Sequence, residues 1–91
     1  MTQPPTRLDI RHIRNHARKG IATRKLGVSS DYCILSLTRQ DGAIIVHVNS
    51  GGNVCAVEQW LNMHGYRAEY VGYEPDVYGG KVRVTLREQA A

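Results

Sequence analysis

Residues 32–48 read YCILSLTRQDGAIIVHV, two runs rich in strand-forming side chains on either side of Asp41-Gly42. An Asp-Gly pair between such runs is a strong signal for a two-residue β-hairpin turn, because both positions must tolerate a positive φ. The turn sets the register of the two strands, and that register places every second residue on a common face. The predicted core face holds Cys33, Leu35, Leu37, Ile44, Val46 and Val48. The opposite face is half apolar, and an N-terminal helix is the nearest element to cover it.

That helix is predicted between Thr6 and Gly20. Thr6 followed by Asp9 fits the capping-box pattern, in which the hydroxyl accepts from a free backbone amide and the carboxylate reaches back. Its apolar residues recur at helical spacing, and they are Ile10, Ile13 and Ala17. Glycine is a common helix terminator, so Gly20 is predicted to end the helix. Residues 21–30 carry a weaker signal for a short helix ending at Gly27.

A second helix and a second hairpin are predicted after the first hairpin. Ser50 or Asn53 can cap the helix, and Gly65 should end it. Its apolar face consists of Val54, Val57 and Leu61. The strands of the hairpin cover residues 66–73 and 81–87, with residues 74–80 as a long loop.

The chain is therefore predicted to form a single small α+β domain with the element order α-β-β-α-β-β. Its four-stranded sheet is mainly antiparallel, and the helices pack on it. The domain spans residues 6–88, between a flexible leader at 1–5 and a flexible tail at 89–91. A chain of 91 residues with 42% hydrophobic residues is large enough for one core without disulfides or metals.

Positive charge is concentrated near the N-terminus. Residues 1–27 contain seven basic residues and one acid, Asp9, whereas residues 28–91 contain five basic residues and seven acids. The seven basic residues are Arg7, Arg11, Arg14, Arg18, Lys19, Arg24 and Lys25. A cationic segment joined to a nearly neutral body predicts a polyanionic or acidic partner.

The spacing of the first four arginines predicts a stripe along one side of the N-terminal helix, formed by Arg7, Arg11, Arg14 and Arg18. Guanidinium groups present forked donors that match phosphate oxygens, and several in a row can follow a nucleic-acid backbone. The sequence therefore predicts a small basic protein, not an enzyme, that binds DNA or RNA phosphates through this stripe. Lys19, Arg24 and Lys25 are predicted to assist.

An alternative prediction assigns the same arginines to an acidic protein surface. The chain would then be an interaction module, such as an inhibitor or adaptor of a nucleic-acid-handling factor. Mobile elements often encode small proteins of this type. A homodimer is also compatible with the sequence, because strand edges are potential pairing sites.

Other chemistry has weaker support. His12 and His16 have the i, i+4 spacing of helical metal ligands, but two ligands among several cations do not predict a metal site. Cys55 lies near the start of the second helix, where a thiolate is stabilised, yet no Cys-x-x-Cys pair accompanies it. A thiol-transfer enzyme using Cys55 is therefore the least favoured function, Cys33 is predicted to be a core residue, and no cofactor is predicted.

The number of cysteines and the length of the apolar stretches bear on where in the cell the protein is located. Two cysteines are too few for a disulfide scaffold, and no charged-then-apolar leader is evident. The apolar runs are far shorter than the roughly 20 residues needed to span a bilayer, so no membrane association is predicted. These features together predict a cytoplasmic protein.

Overall fold

The computed structural model describes residues 5–24, 33–71 and 79–87, except for the side chain of Arg24. Its elements are α1 (Ile10–Arg24), β1 (Ile34–Gln40), β2 (Ala43–Val48), α2 (Gly51–Met63), β3 (Tyr66–Tyr70) and β4 (Gly80–Leu86). The strands form one antiparallel four-stranded sheet in the order β1-β2-β4-β3. The predicted α+β architecture and element order are confirmed.

Several predicted segments lie outside the described residues. They are most of the leader at 1–5, the C-terminal part of the weak helix at 21–30, most of the loop at 74–80 and the tail at 89–91.

The first hairpin turns at Asp41-Gly42 as predicted. Asp41 and Gly42 have φ values of +51° and +79°, and Gln40 pairs with Ala43 across the turn. Both central residues of a two-residue hairpin of this type need a positive φ, which explains the Asp-Gly pair.

A β-bulge in β1 corrects one part of the predicted core face. The register shifts between Ile34 and Ser36, so Ile34 packs against the core while Leu35 is 46% exposed. The prediction that Leu35 faces inward is therefore wrong, because one extra residue in a strand reverses which side chains point to the core. Cys33 is buried as predicted.

Both helices pack on the same face of the sheet. The core combines Ile13, Ala17 and Ile21 of α1, Val54, Val57 and Leu61 of α2, and the strand residues Ile44, Val46, Val48, Val82 and Val84. The expectation that the N-terminal helix covers the half-apolar face is wrong. Packing on the more apolar face with α2 removes more hydrocarbon from water.

The start of α1 is capped by Asp9 rather than by Thr6. Asp9 Oδ1 accepts a hydrogen bond from the His12 backbone N–H at 3.1 Å, and the Ile13 N–H donates to the Asp9 carbonyl at 2.9 Å. The first bond satisfies a donor that the first turn leaves unpaired, and the second is the first i to i−4 hydrogen bond of the helix. The predicted Thr6 cap is wrong, because the helix begins at Ile10.

Gly20 does not end α1, which continues to Arg24. A Cβ atom at Gly20 would lie 2.8 Å from the Trp60 Cβ and 3.1 Å from the Ala56 carbonyl oxygen of α2. The glycine is therefore needed for close approach of the two helices rather than for a turn. Contacts between residues so far apart in the chain are not visible in the local sequence.

The ends of α2 agree with the prediction. Ser50 is the N-cap, and its side chain accepts from the Asn53 backbone N–H at 3.2 Å. Helix α2 finishes at Met63, and Gly65 follows with a φ of +95°. A positive φ just beyond a helix favours glycine.

Candidate functional site

Three arginines project from the surface of α1 on one side. Arg11, Arg14 and Arg18 are all exposed, whereas Ile13 and Ala17 of the same helix are fully buried. At about 100° per residue, the three arginines lie within roughly 60° of one another around the helix axis. We call Arg11, Arg14 and Arg18 the basic ridge.

Arg7 lies before α1, so it is not part of the ridge. Its guanidinium is 3.9 Å from the Asp9 carboxylate, and its side chain is 85% exposed. An ion pair at that distance and exposure contributes little to stability. Arg7 therefore remains accessible beside the first turn of α1.

The other predicted site residues are less closely grouped. Lys19 is exposed on α1, and it is near enough to His16 to influence its pKa. Arg24 is the last residue of α1, and its side chain is outside the described residues, as is all of Lys25. Of the predicted site residues, Arg11, Arg14 and Arg18 of the basic ridge are the ones that the structure brings together.

A groove separates the basic ridge from the edge of the sheet. It is open, has a volume of about 570 Å³, and is lined by Asp9, Ile10, Arg11, Arg14, Leu37 and Arg39. Ile10 and Leu37 contribute an apolar floor, while three arginines contribute positive charge. We call it the α1–β1 groove.

Arg39 is a residue of this groove that the sequence analysis did not select. It lies on β1 opposite Ile44, and its Nη2 donates to the Leu8 carbonyl oxygen at 2.9 Å. A guanidinium has five N–H donors, so this bond leaves others for a ligand. The hairpin register contained a signal, since it places Arg39 on the same face as Leu37.

Asp9 is the one carboxylate in the lining of this groove. The hydrogen bond from the His12 backbone N–H is the main reason that the pKa of Asp9 lies below its usual value, and the cations Arg7 and Arg11 lower it further. Asp9 is thus ionised at neutral pH, where it balances part of the charge. The groove keeps an excess of positive charge.

The two edge strands of the sheet, β1 and β3, differ in their hydrogen bonding. Side chains bond the outward-facing backbone groups of β3. The Ala68 N–H donates to Asn62 Oδ1 and the Ala68 carbonyl accepts from Asn62 Nδ2, both at 2.9 Å. The Tyr70 N–H donates to Glu58 Oε2 at 2.8 Å, and the Tyr66 carbonyl accepts from the Arg87 Nε at 3.3 Å. Side chains of α2, together with Arg87 after β4, therefore take the place that a further strand would occupy.

Among the described residues, no side chain covers the β1 edge in this way. In an antiparallel pair, the N–H and C=O groups of every second residue bond the partner strand, and those of the residues between them point outward. Gln40 and Ala43 bond each other next to the turn, so the outward-facing residues of β1 are Leu37 and Arg39. In the described part of the chain, no hydrogen bond reaches the backbone N–H or carbonyl of Leu37 or Arg39 from outside the hairpin. This edge borders the α1–β1 groove, so the outward backbone groups of β1 and a set of cations lie side by side.

A histidine cluster lies on the other side of α1, between α1 and α2. The rings of His12 and His16 are 4.8 Å apart and those of His16 and His64 are 5.1 Å apart. Trp60 stacks on His64 with ring centroids 4.3 Å apart, and its Nε1–H donates to His16 Nδ1 at 3.0 Å. Within residues 5–24, 33–71 and 79–87, no three potential ligands are arranged to hold a metal ion.

The surroundings of His16 in this cluster shift its pKa. Partial burial lowers its pKa below the usual value, and His12, His64 and Lys19 lower it further through their positive charge. A lowered pKa keeps His16 neutral near pH 7, and the neutral ring can accept the proton of Trp60 at Nδ1.

Cys55 is exposed on α2, but its surroundings do not favour catalysis. With Ser50 as the cap, Cys55 is the fifth helical residue and so lies beyond the first turn. Its groove is lined by Thr23, Gly52, Ala56, Gln59, Trp60 and Met63. None of these lining residues is a base that can take the thiol proton.

Comparisons with known proteins give no relative from which function can be carried over. No protein-family model matches the chain, and neither the curated proteins nor the solved structures yield a match. The described helices include none that is both long enough and apolar enough to cross a bilayer. Function is therefore inferred from the basic ridge and the groove beside it.

Proposed function

We propose that this protein binds the phosphate backbone of DNA or RNA through the basic ridge and the α1–β1 groove, and that it catalyses no reaction. The observation that supports this proposal is the convergence of Arg11 and Arg14 of α1 with Arg39 of β1 on one open groove. Guanidinium groups pair with phosphate oxygens through two parallel hydrogen bonds. An open groove lets a polymer enter and leave along its length.

The length of the basic ridge suits several phosphates. Arg11 and Arg18 are seven residues apart, which corresponds to about 10 Å along an α-helix. A nucleic-acid strand advances about 3.4 Å along the duplex axis per phosphate, so the ridge spans about three phosphates of one strand. Contacts of this kind fix position on the backbone and read no base sequence.

Binding through phosphates makes a quantitative prediction for salt dependence. Each neutralised phosphate contributes a slope of about −0.9 to the dependence of log K on log salt for a duplex. Engagement of Arg11, Arg14, Arg18 and Arg39 therefore predicts a slope of about −3 to −4.

Fluorescence anisotropy with labelled duplex DNA, duplex RNA and single strands of mixed sequence tests the proposal over a range of salt concentrations. Arg14→Gln should weaken binding to all sequences alike and reduce the slope by about one. Arg67→Gln is the matched control, since it removes the same charge from an exposed position on the opposite face of the sheet. Affinity that stays constant as salt rises, or an equal effect of the two variants, would refute phosphate binding.

A second candidate function is binding of an acidic protein segment, as an inhibitor or adaptor would do. The open edge of β1 beside the α1–β1 groove favours this candidate, because nucleic acid makes no use of a strand edge. Pull-down from a lysate with and without nuclease separates the two candidates. Nucleic-acid partners are lost after nuclease treatment, whereas a directly bound protein is retained.

A further inference from the structure

We infer that the open edge of β1 accepts an extended acidic segment of a partner protein as an additional strand of the sheet, with its carboxylates on Arg11, Arg14 and Arg39. This inference deepens the second candidate function and does not depend on nucleic-acid binding. It specifies both the conformation of the partner segment and the order of its side chains.

The difference between the two sheet edges is the first argument. On β3, side chains of Asn62, Glu58 and Arg87 bond the outward-facing backbone groups. On β1, the outward N–H and carbonyl groups of Leu37 and Arg39 have no such partner among the described residues. Edge strands that are not covered recruit another strand, and partner peptides use this mode of binding.

The α1–β1 groove beside the β1 edge gives the second argument. Its lining determines which types of side chain an added strand can place there. Successive side chains of a strand point to opposite faces, so every second residue of the segment would enter the α1–β1 groove. Leu37 and Ile10 favour an apolar residue at the centre. Arg39 lies two residues from Leu37 on the same face of β1, so it favours an acid two residues from the apolar side chain, while Arg11 and Arg14 of α1 add positive charge to the groove. An acid on each side of the apolar residue, acid-x-apolar-x-acid, places one acid opposite Arg39 for either direction of the added strand.

The bulge in β1 limits the length of the pairing. Regular register on β1 holds from Ser36 to Gln40, and it shifts between Ile34 and Ser36. A bulge bends the strand and increases its twist, so continuous pairing should end there. The partner segment is therefore about five residues long where it is bonded to β1, which is a usual strand length.

Charge argues against a second copy of this chain at the same edge. The segment Ile34–Gln40 contains no acid and includes Arg39. Pairing two β1 edges would also bring two basic ridges together, and like charges across an interface are repulsive. The occupant that fits is therefore a different chain with acidic residues.

The test uses the full-length protein and a labelled synthetic peptide of about seven residues, Thr-Glu-Thr-Val-Thr-Glu-Thr, matched to the length of a short strand. Hydrogen exchange followed by NMR should show slower exchange of the Leu37 and Arg39 amides when the peptide is bound. Anisotropy should show that Arg14→Glu or Arg39→Glu weakens binding about tenfold or more, whereas Arg67→Glu on the opposite face has little effect.

A second peptide separates strand addition from simple charge attraction. It has the same sequence, but its backbone nitrogens on the side facing β1 are methylated, so it keeps the charges and loses the donors. We expect its affinity to fall about tenfold or more, because its methylated nitrogens cannot donate hydrogen bonds to the edge of β1.

Four results would overturn the inference. They are equal binding of the methylated peptide, unchanged exchange of the Leu37 and Arg39 amides, dimerisation through β1 without peptide, and no peptide binding at about 1 mM. Binding of an oligonucleotide but not of the peptide would overturn strand addition alone and would support phosphate binding.

Discussion

Trp60 Nε1–H donates a hydrogen bond to His16 Nδ1 at 3.0 Å and thereby joins α2 to α1. Protonated histidine has no acceptor at either ring nitrogen, so this bond exists only while His16 is neutral. The groups facing His16 are His12 and Lys19 of α1, Trp60 and His64 of α2, and Tyr66 of β3. Lys19 is a cation and none of these neighbours is a carboxylate, so a protonated His16 has no ion-pair partner among them.

Stability should fall in mildly acidic solution because the pKa of His16 is lower in the folded protein than its usual value of 6.5. Between the folded and the unfolded pKa the unfolded chain binds more protons, so the free energy of unfolding decreases as pH falls below 6.5. The His16→Gln variant keeps an acceptor for Trp60 but cannot be protonated, and its pH dependence should be flatter. Denaturant unfolding followed by the fluorescence of Trp60, the only tryptophan, measures this at several pH values.

The matched control for His16 is His12→Gln, which removes an exposed histidine from the same helix. It should flatten the pH dependence less than His16→Gln does, because His12 makes no bond to Trp60. An equal pH dependence in the His16→Gln variant and the parent protein would contradict a role for this hydrogen bond.

Gly20→Ala should destabilise the protein although alanine favours helix formation. The new Cβ would lie 2.8 Å from the Trp60 Cβ, and overpacking of this kind costs about 1–3 kcal/mol. The gain in helix propensity offsets about 1 kcal/mol of this cost. Urea denaturation should show a net loss of stability. Gly51→Ala is the control, since nothing lies within 4 Å of its added Cβ, and it should be neutral or slightly stabilising.

Asp9 has two roles that substitutions can separate. Asp9→Ala removes the acceptor for the His12 N–H and should lower the melting temperature, whereas Thr6→Ala should not, because Thr6 is not the cap. Asp9→Asn keeps a capping acceptor and removes the negative charge from the α1–β1 groove. We expect Asp9→Asn to be more stable than Asp9→Ala and to bind labelled duplex DNA more tightly than the parent protein at low salt. Equal melting temperatures for Asp9→Ala and Thr6→Ala would refute the capping role.

Asn62→Ala should expose the edge of β3. The substitution removes two hydrogen bonds to Ala68, which contribute together about 1–2 kcal/mol to the free energy of unfolding. It also frees a strand edge for pairing, so sedimentation velocity should detect self-association that increases with concentration. Gln59→Ala changes an exposed residue of the same helix and should have neither effect. An Asn62→Ala variant that remains monomeric at high concentration would show that the edge has other protection.

Local sequence features predicted the elements of the fold well. The turn at Asp41-Gly42 and the end of α2 before Gly65 depend on backbone conformations that only a few residues adopt readily, so they can be read from neighbouring residues. Boundaries of α1 were less predictable. Thr6 and Asp9 are both residue types that cap helices well, and in the structure it is Asp9 whose carboxylate accepts from the His12 N–H.

For the candidate site, the sequence predicted the basic helix but not the groove. Arg11, Arg14 and Arg18 lie at helical spacing, so their common side follows from the period of the helix. Arg39 joins Arg11 and Arg14 because the sheet places β1 beside α1, and these residues are more than twenty positions apart in the chain. The hairpin register places Arg39 on the same face as Leu37, but its approach to α1 depends on tertiary packing.

The order of helices and strands and the charge of the first helix thus follow from the amino-acid sequence alone, because turn chemistry, periodicity and charge are properties of neighbouring residues. Tertiary packing determined that Gly20 lies against Trp60 and that side chains of α2 cover the edge of β3. It also determined that, within the part of the chain that the structure describes, the edge of β1 beside the arginines has no such cover. These features arise where distant segments meet, since hydrogen bonding and close packing between them depend on three-dimensional distance and not on position along the chain.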